Sequence, residues 1–420
     1  MKRAISRIAV AAMLIVGSAA VTARAQSGFE PSPVLWAKDL AAPELLRGPQ
    51  FVVNERVPVK DFLCRFTLRS DYGTFDVHGL RMLYIRVQDV HGLAQLNQMS
   101  NTQEFLQAAA QAVARPVTSA VNMITNPVET VEGLPGGVTR LFDRIKLGGE
   151  EIAAAATAPS VTDEQKAADV SQRVGSITVD TLGYEKERRD LARSVGVDPY
   201  TTNPILAKKL TDMAWVAFSA RFGIQTAISV FVPGSIVLSA VTITNSTVYD
   251  TPPGDLVNSA QSIFAGTSAS EAQVRALVKN PQYSLSLLTD LAMGVNRLRG
   301  VNGLASVVDF AAAAKTQDET RFVAGSVNML ARYHESVAPI TVTMAPGPIL
   351  GRTTNGTLVI PAPVDYVAWT ERVSRMAQRD DFKASDRTAW LSGQMSIRAR
   401  KEFTGRGWRV DESFSIAAER

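Results

Sequence analysis

The sequence FLCRFTLRSDYGTFDV, at residues 62–77, contains two runs in which apolar and polar residues alternate on either side of a turn. The first run covers 62–69, the turn covers 71–73, and the second run covers 74–77. Alternation around a glycine-containing turn predicts a β-hairpin. From Leu80 to Ala94 the apolar residues instead recur every three or four positions, which predicts a helix directly after the hairpin.

Outside the hairpin, most of the chain has a helical pattern. The chain has 420 residues, of which 46% are apolar and 20% charged, and this composition excludes a disordered protein. The predicted fold class is α+β, predominantly α with small β elements. The predicted segments are an extended leader at 26–50, the hairpin with amphipathic helices at 51–149, a linker at 150–180, a helical domain at 181–338 and a small C-terminal α+β module at 339–420.

Capping residues predict where several helices begin. Asn203 and Asn280 are each followed by proline, and asparagine at the cap with proline at the first helical position is a favourable start. The serine-rich turn at 266–270, before Glu271, and Ser396 are also predicted to cap helices.

The C-terminal module has its own turn and strand signals. Asn355-Gly356 predicts a hairpin turn, because both residues tolerate positive φ. The other elements predicted there are a β-branched strand at 340–344, a strand at 357–360, a helix from Asp365 to Gln378, a helix from Ile397 to Thr404 and a last strand at 408–410.

Residues 1–25 have the three parts of a secretory signal peptide. A basic start is followed by an uncharged apolar run, and Ala23-Arg24-Ala25 places small residues at the −3 and −1 positions. The apolar run is shorter than the roughly 20 residues of a membrane span. The sequence therefore predicts cleavage after Ala25 and export to the periplasm of a bacterium or to the extracellular space.

Removal of that segment changes the charge balance. The whole chain has 44 basic and 40 acidic residues, and the signal carries four basic residues and no acidic one. The mature chain is therefore neutral, which argues against nucleic acid as a partner. Cys64 is the single cysteine, so no intrachain disulfide can form, and its place in the alternating run predicts a buried structural thiol.

Four residues form a candidate polar cluster: Asp76, His78, Asp89 and His91. The hairpin and the helix after it could bring His78 and His91 close together, and Asp76 and Asp89 lie near them in the sequence. A zinc site needs three or four ligands around one point, and this group is dispersed over 16 residues, so no metal site is predicted. The alternative is a solvated strand position for His78 and a helix-face position for His91.

A second candidate is an aromatic and basic cluster near the C-terminus. Trp408 lies between Arg406 and Arg409, and an aromatic ring beside arginines can meet an anionic surface. The alternative is that Trp408 belongs to the core of the small module. In an exported protein the anionic partner would be an envelope lipid or polysaccharide.

Two further segments raise the question of membrane contact. Residues 222–249 contain no charge, but Pro233-Gly234 divides them into two short pieces. They are predicted to be buried core, with a membrane-inserting hairpin and an exposed partner-binding patch as alternatives. Residues 116–147 form short amphipathic pieces that could lie on a membrane.

The usual sequence signatures of catalysis and cofactor binding are missing. The chain contains no GxSxG, no GxxxxGK[ST], no GxGxxG and no HExxH. The leading hypothesis is therefore an exported, non-catalytic envelope or interaction protein without a cofactor. A membrane-associated protein that uses 116–147 and 222–249 is one alternative, and a hydrolase with dispersed carboxylates and histidines is another.

Overall fold

A computed structural model describes residues 28–112, 179–220, 246–344 and 349–412. Along these ranges an N-terminal sheet, a series of helices and a C-terminal sheet follow one another. The α+β fold class predicted from the sequence is confirmed. The predictions for 1–25, for 116–147 and for most of 150–180 and 222–249 lie outside the described residues.

The N-terminal sheet has six strands, in the order β1-β4-β5-β3-β2 with β6 paired to β5. Its strands are β1 (Val34–Trp36), β2 (Arg47–Gly48), β3 (Phe51–Val53), β4 (Arg56–Lys60), β5 (Leu63–Ser70) and β6 (Gly73–His78), and a short helix α1 (Pro43–Leu46) precedes β2. Strands β5 and β6 are the hairpin predicted from the alternating sequence, and they pair antiparallel from Arg65 with His78 to Ser70 with Gly73.

The alternation of β5 gives the sheet a buried face and an outer face. Cys64, Phe66 and Leu68 are fully buried on the inner face, and Cys64 is the buried thiol that the sequence predicted. Burial raises the pKa of that thiol well above its ordinary value. Helix α2 (Leu80–Ser100) covers this inner face with Leu83, Val87 and Val90.

Residues 26–50 are not an extended leader throughout. They supply β1, α1 and β2, and β1 pairs antiparallel with β4 while β2 pairs with β3. The four prolines of this stretch removed any clear sequence period, but strands this short need none because the pairing partner sets their conformation. At the start of the described chain, the carboxylate of Glu30 accepts hydrogen bonds from the Trp369 N–H and the Ser396 hydroxyl, both at 2.5 Å.

The turn between β4 and β5 ties the sheet to the C-terminal part of the chain. Asp61 and Phe62 have φ values of 53° and 67°, the positive pair that a two-residue hairpin turn needs. The Phe62 carbonyl accepts hydrogen bonds from the N–H groups of Asp365 at 3.0 Å and Tyr366 at 3.2 Å. The turn is therefore fixed by backbone that lies about 300 residues away in the sequence.

Helices form the middle of the chain. They are α3 (Gln103–Ala112), α4 (Val179–Ser194), α5 (Pro204–Ala220), α6 (Ser246–Asp250), α7 (Pro253–Ala265), α8 (Glu271–Val278), α9 (Leu285–Arg297), α10 (Leu304–Ala312) and α11 (Gln317–Ser336). None of the helices in the four described ranges combines the length and the apolarity needed to cross a bilayer.

The C-terminal sheet has five strands in the order β13-β11-β9-β8-β7, and β10 and β12 form a separate parallel pair. Its elements are β7 (Ile340–Met344), β8 (Leu350–Thr353), β9 (Leu358–Ala362), β10 (Tyr366–Val367), α12 (Glu371–Ala377), β11 (Arg387–Leu391), β12 (Gln394–Met395), α13 (Ile397–Gly405) and β13 (Trp408–Asp411). Asn355-Gly356 lies in the turn between β8 and β9, where Gly356 has a φ of 86°.

The boundary predicted at 338/339 divides the chain in sequence but not in its core. Phe322 and Leu330 of α11 belong to the same buried apolar cluster as Leu358 and Val359 of β9. Because α11 is buried on most of its surface, the C-terminal sheet supplies part of its packing. The helical domain and the C-terminal module therefore share one hydrophobic core.

The structure corrects two predicted helix starts. The helix predicted from Asp365 begins at Glu371, because Thr370 accepts the capping hydrogen bond from the Val373 N–H at 3.3 Å. The helix predicted after Asn280 begins at Leu285, where Ser284 provides the cap. The caps predicted at Asn203, in the turn 266–270 and at Ser396 are confirmed, since the side chains of Asn203, Ser270 and Ser396 each accept hydrogen bonds from their own helix.

Asp365 does not start a helix of its own but caps α2. Its carboxylate accepts hydrogen bonds from the N–H groups of Leu80, at 3.1 and 3.2 Å, and Cys64, at 2.7 Å. The residue before α2 is Gly79, which has no side chain to do this. Burial raises the pKa of Asp365 to about 6, against the hydrogen bonds from Cys64 and Leu80, which favour the charged form.

Candidate functional site

Two of the four residues in the predicted polar cluster come together on the outer face of the N-terminal sheet. His78 Nε2 lies 3.2 Å from a carboxylate oxygen of Asp76, and His78 Nδ1 lies 2.7 Å from one of Asp318 on α11. His78 therefore connects the sheet to the helical body rather than facing open solvent.

Asp318 is the centre of this contact. Its carboxylate also receives Arg321 at 2.8 Å and Arg65 of β5 at 3.4 Å. Burial opposes ionisation of Asp318, but the hydrogen bond from His78 and the charge of Arg321 outweigh it and hold the pKa of this carboxyl well below its usual range. The cluster is thus a charged junction between β5, β6 and α11.

Asp89 and His91 lie apart from this junction. Asp89 is buried on α2, where Arg86 donates to it at 2.5 Å and Asn203 at 3.2 Å, and burial raises its pKa. The His91 ring meets Phe51 edge-on at 5.7 Å, and burial lowers its pKa. Among the described residues no group of three His, Cys, Asp or Glu side chains is placed to hold a metal ion.

The second predicted cluster is placed inside the fold. Trp408 is 3% exposed and packs edge-on against Phe382 and Phe403, and the guanidinium of Arg387 lies 4.9 Å above its ring. Trp408 alternates inward on β13, so its ring is unavailable to an external ligand.

The two arginines beside Trp408 have internal partners. Arg406 stacks over Trp369 at 4.6 Å and pairs with Glu402, and Arg409 pairs with Asp386 at 3.3 Å. The structure therefore places this predicted ligand platform in aromatic core and local ion pairs.

A different tryptophan occupies the kind of site that was sought near Trp408. Trp36 of β1 is 43% exposed, and the guanidinium of Arg56 lies 4.7 Å above its ring. The two residues are direct partners in the register of β1 and β4, so both side chains project from the outer face of the sheet.

Register defines the rest of this outer face. Arg47 pairs with Val52, Val52 pairs with Arg69, and Arg69 pairs with Thr74, which makes one row across β2, β3, β5 and β6. We call the open part of the face the basic sheet face. It consists of Val34, Trp36, Arg47, Val52, Arg56, Pro58, Lys60, Arg69 and Thr74, all exposed.

The charged side chains of the basic sheet face are all basic. Arg47, Arg56, Lys60 and Arg69 make no ion pair with any of the described residues. Among the strand residues that point outward, Asp76 is the one acidic side chain, and it is already in contact with His78. The face therefore carries a local excess of positive charge.

Apolar side chains lie among these charges. The eight exposed large apolar side chains of the described chain include three from this face, Val34 at 47%, Trp36 at 43% and Val52 at 37%. Sequence reasoning missed the face because β1 was assigned to the leader. The signal that could have found it is Arg56-x-Pro58-x-Lys60, an alternating strand whose polar positions are basic.

A cavity of about 300 Å³ lies elsewhere, between α7, α9 and the loop before α10, and its lining includes Thr267, Asn296 and Gly303. None of its lining residues belongs to the N-terminal sheet. Comparisons with known proteins do not assign this cavity or the basic sheet face, since no family model matches the chain and no curated protein or solved structure matches it significantly.

Proposed function

We propose that the protein is an exported, non-catalytic interaction protein of the bacterial envelope, and that its basic sheet face binds an anionic envelope component. The observation that carries the proposal is the group of four basic side chains that share this face with the exposed ring of Trp36 and have no acidic partner among the described residues. Positive charge of this kind attracts anionic partners over about a Debye length, roughly 8 Å at physiological salt.

The position of the face on a sheet supports a binding role. The inner face of the same strands is packed with Phe66, Leu68 and Val77, so the backbone beneath the basic residues is held by core. Side chains on a rigid element lose less entropy when a partner binds. Arg56 is further restrained by its stack on Trp36.

The placement of the candidate acid and base residues favours binding over catalysis. His78 is held between Asp76 and Asp318, and Asp89 is buried against Arg86 and Asn203. A general acid or base must reach a substrate proton, and both ring nitrogens of His78 and the carboxylate of Asp89 are already engaged by neighbouring side chains.

Export is proposed from residues 1–25 and is tested separately. N-terminal sequencing of the native protein is expected to begin at Gln26, directly after Ala25. A native chain that begins at Met1 would contradict both export and the envelope partner.

Binding is tested by sedimentation of the purified mature chain with isolated bacterial envelopes. The variant Arg47→Gln/Arg56→Gln/Arg69→Gln removes three charges from the face and is expected to remain in the supernatant. The control Lys279→Gln/Arg299→Gln/Lys401→Gln removes three exposed charges elsewhere and is expected to sediment like the parent. Equal sedimentation of both variants would contradict the proposal.

A further inference from the structure

The basic sheet face combines two kinds of side chain that different anionic partners would use differently. A hydrophilic polyanion can pair with Arg47, Arg56, Lys60 and Arg69, but it offers nothing to the exposed Val34 and Val52. A bilayer surface offers phosphate to the basic groups and an acyl boundary to the apolar ones. Trp36 fits the same layer, because tryptophan concentrates at the level of the lipid headgroups.

The layout of the face matches a broad, flat partner. The row Arg47–Val52–Arg69–Thr74 crosses four strands, which at about 4.8 Å per strand is a span of about 14 Å. Trp36, Arg56 and Pro58 extend the face from β1 and β4. Basic and apolar side chains thus alternate over an area rather than along a single groove.

One end of the outer face is covered by another part of the molecule, and the remaining residues lie on the uncovered side. Arg65 and His78 are engaged by Asp318, so α11 covers the sheet at that end. Val34, Trp36 and Lys60 lie on β1 and β4, and Arg47 lies on β2. The open residues therefore share one side of the sheet that the helical body does not cover.

We infer that the basic sheet face docks the protein peripherally on an anionic lipid bilayer, with Trp36 and Val52 at the headgroup–acyl boundary and Arg47, Arg56 and Arg69 on lipid phosphates. This inference rests on the proposed function and names its partner. Each basic side chain near such a surface strengthens partitioning by about fivefold, so three together contribute about a hundredfold.

The test uses the purified mature chain and vesicles of two compositions, phosphatidylcholine alone and equal parts of phosphatidylcholine and phosphatidylglycerol. The chain is expected to sediment with the mixed vesicles and not with the neutral ones, and the Arg47→Gln/Arg56→Gln/Arg69→Gln variant is expected to bind about a hundredfold more weakly. The Lys279→Gln/Arg299→Gln/Lys401→Gln variant is expected to bind like the parent. Equal binding by the two triple variants would overturn the inference.

A second variant and a depth measurement guard against effects on folding. Thr74→Glu adds a negative charge to the row without removing a contact, and it is also expected to weaken binding. Lipids brominated on their acyl chains are expected to quench the chain's fluorescence. Trp36→Ala is expected to lose most of that quenching, because Trp369, Trp390 and Trp408 are buried and Trp215 is half-buried against Tyr184 and Phe218, outside the sheet. Quenching that is unchanged in Trp36→Ala would contradict the proposed depth of this ring.

The two proposals fail in different ways. If the parent sediments with isolated envelopes through the face but does not bind the mixed vesicles, the lipid inference falls and the proposed function stands. Release of the chain from envelopes by dextran sulfate, with no binding to the mixed vesicles, would identify a soluble polyanion as the partner. If the face variant sediments with envelopes like the parent, both proposals fall.

Discussion

Trp36 lies in the N-terminal sheet and Trp408 lies in the C-terminal sheet. Both rings have an arginine as a neighbour, but Trp36 is exposed and Trp408 is buried. Each ring lies under an arginine guanidinium, at 4.7 Å for Arg56 over Trp36 and 4.9 Å for Arg387 over Trp408. Trp36 is 43% exposed and Trp408 is 3% exposed. An aromatic ring with a stacked arginine is therefore buried in the core or open to solvent according to which face of which strand carries it.

The strands explain the difference. In the N-terminal sheet β4 alternates between exposed and buried residues, so one face stays open. In the C-terminal sheet β9 and β11 each contain four consecutive buried residues, because both faces are covered. The first sheet therefore keeps one open face, whereas both faces of the second sheet are buried in the core.

The largest expected effect is on the buried tryptophan. Trp408→Ala leaves a cavity between Phe382 and Phe403 and is expected to lower the free energy of unfolding by about 4 kcal/mol. Urea denaturation followed by circular dichroism measures it. Trp408→Phe is the control, since it keeps most of the apolar volume. If Trp408→Ala lowers the free energy of unfolding by less than the substitution of an exposed side chain does, the ring is not part of the core.

The junction between the sheet and α11 gives the next effect. Asp318→Asn removes the charge that His78, Arg65 and Arg321 share. At this largely buried site Arg321 then has no acidic partner among the described residues, whereas His78 keeps Asp76 and Arg65 keeps Asp61. We expect a loss of about 3 kcal/mol in the free energy of unfolding at neutral pH. The exposed Asp380–Lys383 pair is the matched control, and Asp380→Asn is expected to leave the urea midpoint unchanged.

The same variant tests the sign of the pH dependence. Because the pKa of Asp318 is lowered in the folded state, its contribution is present above about pH 4 and is lost as the pH falls below that value. The parent is therefore expected to lose stability between pH 4 and pH 2 by more than Asp318→Asn does. Parallel acid titration curves for the two proteins would contradict the assigned ionisation of Asp318.

Asp365 gives a pH dependence of the opposite sign. Its pKa is about 6 in the folded state and about 4 when unfolded, so the stability that its proton contributes is present below about pH 4 and is lost as the pH rises through 6. Between pH 4 and pH 7 the parent is expected to lose about 3 kcal/mol more than Asp365→Asn. Asp198 also has a pKa of about 6, but it is present in both proteins, so its contribution cancels when their stabilities are compared. Equal slopes would contradict the shift.

The smallest expected effect completes the comparison of the two tryptophans. Trp36→Ala removes an exposed side chain and is expected to change the free energy of unfolding by no more than about 0.5 kcal/mol. Urea denaturation under the conditions used for Trp408→Ala measures it. A loss of free energy of unfolding close to that of Trp408→Ala would mean that Trp36 is needed for stability. Its exposure would then no longer support a binding role for the basic sheet face.

Local sequence patterns predicted the elements whose determinants are local. The hairpin at 62–77 and the cap at Ser396 depend on residues within a few positions, and both are present. The helix start predicted at Asp365 was wrong, because the carboxylate of Asp365 caps a helix that begins 285 residues earlier in the chain. No local rule could show that a residue before a helical pattern belongs to another helix.

The candidate site was predicted only in part for the same reason. Asp76 and His78 are two positions apart on one strand and share its outer face, so their contact follows from the period of a strand. Asp318, which completes the junction, lies 240 residues from His78. Trp36 was missed because the three-residue strand that carries it exists only through its pairing with β4.

The hydrogen bonds from Trp369 and Ser396 to Glu30 join residues that are 339 and 366 positions apart. A chain is synthesised from its N-terminus, so Glu30 meets these partners only after 339 and 366 further residues have been added. The strand β1 can pair with the nearby β4 early, whereas the contacts of Glu30 are among the last that the growing chain can form. Attachment of the start of the described chain to the C-terminal module is therefore a late step of folding.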